Sequence, residues 1–300
     1  TTIIAWSSAV NNISNLLLNG IIQDNIVDES SEGIQSEEVD KDEVAGESDE
    51  WQKKIDEEIE SLEKELERLC PKFKIQEYIP EHDYWKDLDG LTGLNNVKKQ
   101  LQEHISAFNV HKVRKEMHPD LKTDFKFNCI FKGRPGTGKT TVARILSGIL
   151  KQEGMLKKGQ CVEVDTSSIT VGWVGFTSKF TRLAALKAVG GVLFIDEAYS
   201  LVTGAGGSDT QGNEAIDALT PIMTNYAEDL IVVLAGYEEE MNNFMSKVNT
   251  GLASRFQKNV DFEDYSGEEM LEIFISIAKS NCFELEKRAI QRLKKLLCAI

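Results

Sequence analysis

Three hundred residues with 41% hydrophobic and 28% charged side chains and only five prolines can bury a core, which excludes a wholly disordered or fibrous chain. Thirty-four basic against 49 acidic residues leave a net charge of −15, which argues against a general polyanion binder and so against a nucleic-acid partner. Five cysteines, Cys70, Cys129, Cys161, Cys282 and Cys298, form no CxxC pair and suggest neither a disulfide framework nor a zinc site, so a reducing cytoplasm is expected.

In chain order, Ile3, Trp6, Val10, Ile13 and Leu17 recur at helical spacing and mark residues 1–23 as an amphipathic helix. These first residues carry no basic stretch or cleavage site of a secretory signal, and the missing initiator Met points to a processed chain or a fragment. Residues 24–50 hold twelve acids, one base and no aromatic, the composition of a disordered linker that carries eleven of the fifteen net negative charges. Within 51–87, a heptad helix and connector, Ile55, Ile59, Leu62, Leu66 and Leu69 follow spacings of 4, 3, 4 and 3. At about 30 Å of helix this seam is short for an independent coiled coil and is expected to dock on the next domain.

From residue 88 to 264 apolar strands alternate with helices. Leu94, Val97, Leu101, Ile105 and Phe108 make one helical face. Strands are expected at Phe125–Phe131, Cys161–Val164, Val192–Asp196, Ile231–Ala235 and Asn259–Phe262. Strands separated by helices imply an α/β sandwich on a five-stranded parallel sheet, with its ligand at the carboxyl edge. No apolar run, Leu230 to Gly236 included, approaches the roughly 20 residues of a membrane span.

The chemistry concentrates at two strand ends. GRPGTGKT, Gly133 to Thr140, fits the phosphate-loop pattern after a strand and before a helix. Backbone N–H groups of such a loop face phosphates, Lys139 neutralises them, and the Thr140 hydroxyl suits Mg²⁺. The expected phosphate-binding residues are Pro135, Gly136, Thr137, Gly138, Lys139, Thr140 and Thr141. In GGVLFIDEA, Asp196 ends a strand and suits a water-mediated Mg²⁺ contact, while Glu197 beside it can polarise an attacking water. Trp173 lies between Gly172 and Gly175, a setting for an exposed ring or for an ordinary core tryptophan. Arg255, just before the fifth strand, gains interest because phosphoryl transfer is commonly completed by a neighbour's arginine.

Taken in order, LDGLTGL, GRPGTGKT, WVGFT, GGVLFIDEAYSL, LIVVLAGY and NTGLASRF resemble the CbxX/CfqX branch of AAA+ ATPases, which includes red-type Rubisco activases and stage V sporulation protein K. The resemblance spans roughly Leu88 to Ile300. It implies a P-loop NTPase core, an adenine pocket beginning at Gly93 and Leu94, and an arginine finger at Arg255. It also implies a substrate-gripping pore loop at Trp173, Val174 and Gly175, where the family usually has Tyr in place of Trp. Ala235, Gly236 and Tyr237 match the family at the end of the fourth strand. Residues 265–300 are expected to form a partial helical lid, started by a capping box at Ser266 and Glu269 and truncated before its sensor-2 arginine. Pro221 is expected to kink a helix that is continuous in relatives. The implied function is a Mg-ATP-dependent ring, a homo-oligomer of six subunits, that remodels a protein partner. A nucleotide-gated scaffold with little turnover is the alternative, and intact Glu197 and Arg255 speak against it.

Overall fold

The computed structural model describes residues 41–69, 75–78, 83–118, 120, 127–166, 176–203, 209–248 and 250–298. The amphipathic segment 1–23, most of the acidic segment and the Trp173 loop lie outside the described residues. The chain divides into Thr1–Glu50 and Trp51–Ile300. Of the first unit only the opening ten residues of helix α1 (Lys41–Leu69) are described. The helix thus begins ten residues before the expected start at Trp51, through residues assigned to the linker from their composition. Acidic residues near a helix N-terminus favour the dipole, and extending an existing helix costs far less than nucleating one.

From Trp51 onward the apolar seam of α1 lies on its own domain. Ile55 and Leu66 are buried, Ile59 and Leu62 are half-buried, and Leu69 is 38% exposed. The seam meets helix α5 (Phe176–Lys187) and the turn after it, with Ile55 against Leu186 and Val189. Ion pairs Glu58–Arg182, Glu65–Lys179 and Glu63–Lys187 flank that contact. Such partly exposed pairs contribute little, so the buried aliphatic side chains do most of the holding.

The sheet contains β1 (Gln76–Tyr78), β2 (Cys129–Gly133), β3 (Cys161–Asp165), β4 (Val192–Asp196), β5 (Ile231–Gly236) and β6 (Lys258–Phe262). Their order is β1-β3-β4-β5-β2-β6. The five expected strands pair parallel, so their carboxyl ends share one edge. A sixth, β1, pairs antiparallel with β3 and corrects the five-strand expectation. Its three residues are all exposed, so no alternation marked it in the sequence.

Alternating strand residues feed two cores. Leu193, Ile195, Val232 and Leu234 face a layer built on α5 and α7 (Asp209–Asn225). Phe131, Phe194, Val233 and Phe262 face the other, built on α2 (Tyr84–Gly90), α3 (Asn95–Met117) and α4 (Lys139–Gln152). The Phe131 ring packs 5.0 Å from Phe262 and 6.5 Å from Phe194, centroid to centroid, which ties edge strand β6 to β2 and β4. Short α6 (Ser200–Thr203) follows β4.

Helix α7 runs through Pro221, whose ring supplies no N–H to the carbonyl one turn back. Thr220 and Thr224 hydroxyls donate to the carbonyls of Ile216 (2.8 Å) and Thr220 (2.9 Å), the back-bonding that bends helices. Helices α8 (Glu238–Lys247) and α9 (Thr250–Ala253) lead into β6.

Beyond β6 come α10 (Gly267–Ser280) and α11 (Lys287–Leu297). The Ser266–Glu269 capping box is formed in both directions. Among the described residues no helix is long and apolar enough to cross a membrane.

Candidate active site

Strand β2 ends at Gly133, and the chain curls through the Gly-rich loop into α4. The curl needs glycine at Gly138, which caps α4 at φ +91°, and a Cβ there would come 3.2 Å from the Tyr265 hydroxyl. The first turn of α4, Lys139 to Thr141, carries no acid, so the positive end of the helix dipole is unopposed. Beside it on the same sheet edge, β4 delivers Asp196 and the turn after it delivers Glu197.

These ends enclose a cleft of ≈ 340 Å³. Pro135, Gly136, Gly138, Lys139, Thr140 and Thr141 line one side, Asp196 and Glu197 the facing side, and Gly236 with Tyr237 the end of β5. Lys139 is buried, and its Nζ donates to the carbonyls of Gly133 (2.9 Å) and Arg134 (2.8 Å). Burial pulls its ammonium below the ordinary lysine range, while Asp196 and Glu197 work in the opposite direction. An anion entering the cleft gives this cation a better partner than two neutral carbonyls.

Glu197 has φ +50°, an uncommon conformation for a side-chain-bearing residue and one that clusters at functional sites. Several contacts hold it there. Its N–H donates to Asp196 Oδ1 (3.0 Å), and its carbonyl accepts from the Ser200 hydroxyl (2.8 Å) and the Ser200 N–H (2.9 Å). The Glu197 carboxylate is left exposed at the cleft.

The oxygen donors fit a hard divalent cation. Thr140 and Asp196 line the same cleft, and at Gly136 a Cβ would meet nothing within 4 Å, leaving the loop open on that side. Among the described residues no three His, Cys, Asp or Glu side chains could cage a metal by themselves. This is the donor set of Mg²⁺, which keeps several waters and relies on substrate phosphates.

Of the expected residues, Thr137 is buried in the loop, its hydroxyl donating to the Arg134 carbonyl (2.7 Å). Gly93 and Leu94 do not line the cleft; both have positive φ, and Leu94 packs behind the loop, its Cδ1 3.7 Å from where a Gly138 Cβ would stand. Arg255 is also outside the lining. Its guanidinium donates to the Gly251 carbonyl and to Thr224 Oγ1 (2.7 Å). Trp173, Val174 and Gly175 lie outside the described residues. Tyr199, whose ring stands 5.9 Å from that of Tyr237, and Tyr265 were missed as neighbours of the site. The carboxyl-edge rule points to the end of β5, but nothing local marks Tyr265.

A family model, "ATPase family associated with various cellular activities (AAA)", matches residues 129–264, from the first residue of β2 to two residues past β6. Stage V sporulation protein K of Bacillus subtilis is 37% identical over 216 residues, covering 72% of this chain and 66% of that protein. The protein CfxQ homolog of Galdieria sulphuraria is 39% identical over 215 residues, covering 71% and 68%. The chain thus spans about two thirds of the length of these relatives. Among solved structures, the FIGL-1 AAA domain in complex with ADP superposes with a TM-score of 0.52 at 23% identity, over 78% of this chain and 73% of that one, a likeness of fold. With the phosphate loop and the paired acids in one cleft of the matched region, the chain belongs to the CbxX/CfqX-type AAA+ ATPases, a family of ATP hydrolases.

Proposed function

We propose that this chain is a ring-forming, Mg-ATP-dependent motor, hexameric and cytoplasmic, that remodels a protein partner through the loop of Trp173, Val174 and Gly175. The observation that carries the reading is a separation: Lys139, Thr140, Asp196 and Glu197 share one cleft, while Arg255 stands outside it. An arginine at the family's finger position that does not reach its own cleft is suited to a neighbouring subunit's.

In this reading the loop N–H groups and the N-terminus of α4 bind the β- and γ-phosphates of ATP, and Lys139 leaves its two carbonyls to pair with them. Thr140, by its hydroxyl, and Asp196, through water, are the residues that would hold Mg²⁺, which would supply positive charge at the transferring phosphoryl group when bound. Glu197 accepts a hydrogen bond from the attacking water and orients it. Arg255 of the adjacent copy adds charge on the far side. The products are ADP and phosphate.

The test is substrate trapping. Glu197→Gln should keep ATP bound and hydrolyse it at least about a hundredfold more slowly, so the partner co-purifies with it in ATP. Adding Trp173→Ala to that variant should release the partner while ATP stays bound. Parental turnover in Glu197→Gln would refute the role of Glu197, and a partner retained without Trp173 would refute the pore loop.

A further inference from the structure

The segment between β6 and the lid helix α10 reaches back to the phosphate loop. Tyr265 donates its hydroxyl to the Thr137 carbonyl (3.1 Å), across 128 residues of chain. Its ring is half-buried beside Leu94 and Gly138, so a Cβ on Gly138 would press against its oxygen. Next to it, Asp264 pairs with Arg134 of the loop (3.2 Å). One residue on, the capping residue Ser266 roots the lid, and the Glu269 carboxylate lies where a Cβ on Gly93 would stand. Burial, with Glu269 near, pushes the Tyr265 phenol up, so it remains a protonated donor at neutral pH.

The geometry of the trans peptide gives this bond its meaning. The Thr137 carbonyl and the Gly138 N–H belong to one rigid plane and point in opposite directions. Fixing the carbonyl on Tyr265 therefore fixes the N–H on the other side. Glycine at 138 could otherwise let this plane flip at little cost. Three other loop carbonyls are held from within the loop and its helix: Gly133 and Arg134 by Lys139, Arg134 also by Thr137, and Gly138 by the Val142 N–H (2.9 Å). The Lys139 bonds break when Lys139 turns to phosphate. The tyrosine bond comes from outside the loop and its helix.

We infer that Tyr265 is a positioning residue for ATP: its hydroxyl holds the Thr137–Gly138 peptide with the N–H presented to the phosphates, and ties that orientation to the root of the lid. The inference rests on the reading of the cleft as a phosphate site.

Tyr265→Phe removes the hydroxyl and keeps the ring. It should raise the Kd and KM for ATP roughly threefold to tenfold. It should leave kcat within about twofold, as expected when an interaction common to ground and transition states is lost. The melting temperature of the nucleotide-free protein should stay within about 2 °C of the parent. Asp264→Asn, which cuts the ion pair beside it, should raise Kd about twofold in low salt and less in high salt, where screening already weakens the pair. Lys139→Ala serves as control. If Lys139→Ala loses ATP while Tyr265→Phe and Asp264→Asn bind like the parent, the inference fails and the phosphate reading stands. If Lys139→Ala also binds like the parent, the phosphate reading itself fails. A fall in kcat and melting temperature with KM unchanged would make Tyr265 a packing residue only and would also overturn the inference.

Discussion

The position of Arg255 yields a quantitative test of action between subunits. Arg255→Ala leaves its own cleft intact but offers no finger to a neighbour, because its bonds to Gly251 and Thr224 lie away from the residues that line that cleft. Lys139→Ala does the reverse, losing the cation that meets phosphate while keeping Arg255. Each variant alone should fall to roughly a thousandth of parental turnover or less, the range expected when an arginine finger is missing. Co-assembled at equal amounts and at random, half the subunits carry an intact cleft, and half of those face a neighbour with a finger. About a quarter of the parental rate per subunit should therefore return, a gain of about 250-fold or more over either variant. The assay is steady-state phosphate release from rings co-expressed with two affinity tags and purified through both. Activity equal to the average of the two separate variants would refute a finger supplied in trans.

Two further outcomes concern the scaffold. Leu66→Ala removes a fully buried side chain between α1 and the ATPase core and should cost about 3 to 5 kcal/mol, or roughly 6 to 15 °C in melting temperature, whereas Leu69→Ala at 38% exposure should cost under about 1 kcal/mol. Equal melting of the two variants by scanning calorimetry would show that α1 is not part of the folded core. Among the described cysteines, burial pushes Cys129 and Cys161 up to about 12, so neither forms thiolate at pH 8. A thiol reagent should modify exposed Cys282 and Cys298 first, and Cys129 and Cys161 only after denaturation; rapid labelling of either buried thiol in native protein would contradict the packing of β2 and β3.

Features carried by neighbouring residues were legible in the sequence. The phosphate loop depends on glycines, one lysine and one hydroxyl within Gly133–Thr140, and its flanking strand and helix are written in local periodicity. The strand ending at Asp196 was expected over the same residues it occupies, because an apolar run closed by two acids reads the same before and after folding. The other parallel strands fell within a few residues of expectation for the same reason.

Tertiary structure decided what depends on where the chain returns. Strand β1 exists because the edge of β3 offers unpaired backbone groups, which no property of Gln76–Tyr78 announces. The seam of α1 could equally have faced another helix; burial of Ile55 against Leu186 and Val189 selected its own domain. The Tyr265–Thr137 bond joins residues with no shared periodicity, and the positive φ of Glu197 follows from contacts with Ser200 and Asp196. Sequence patterns record which face of an element is apolar; which face it meets is set by packing that many distant residues make together.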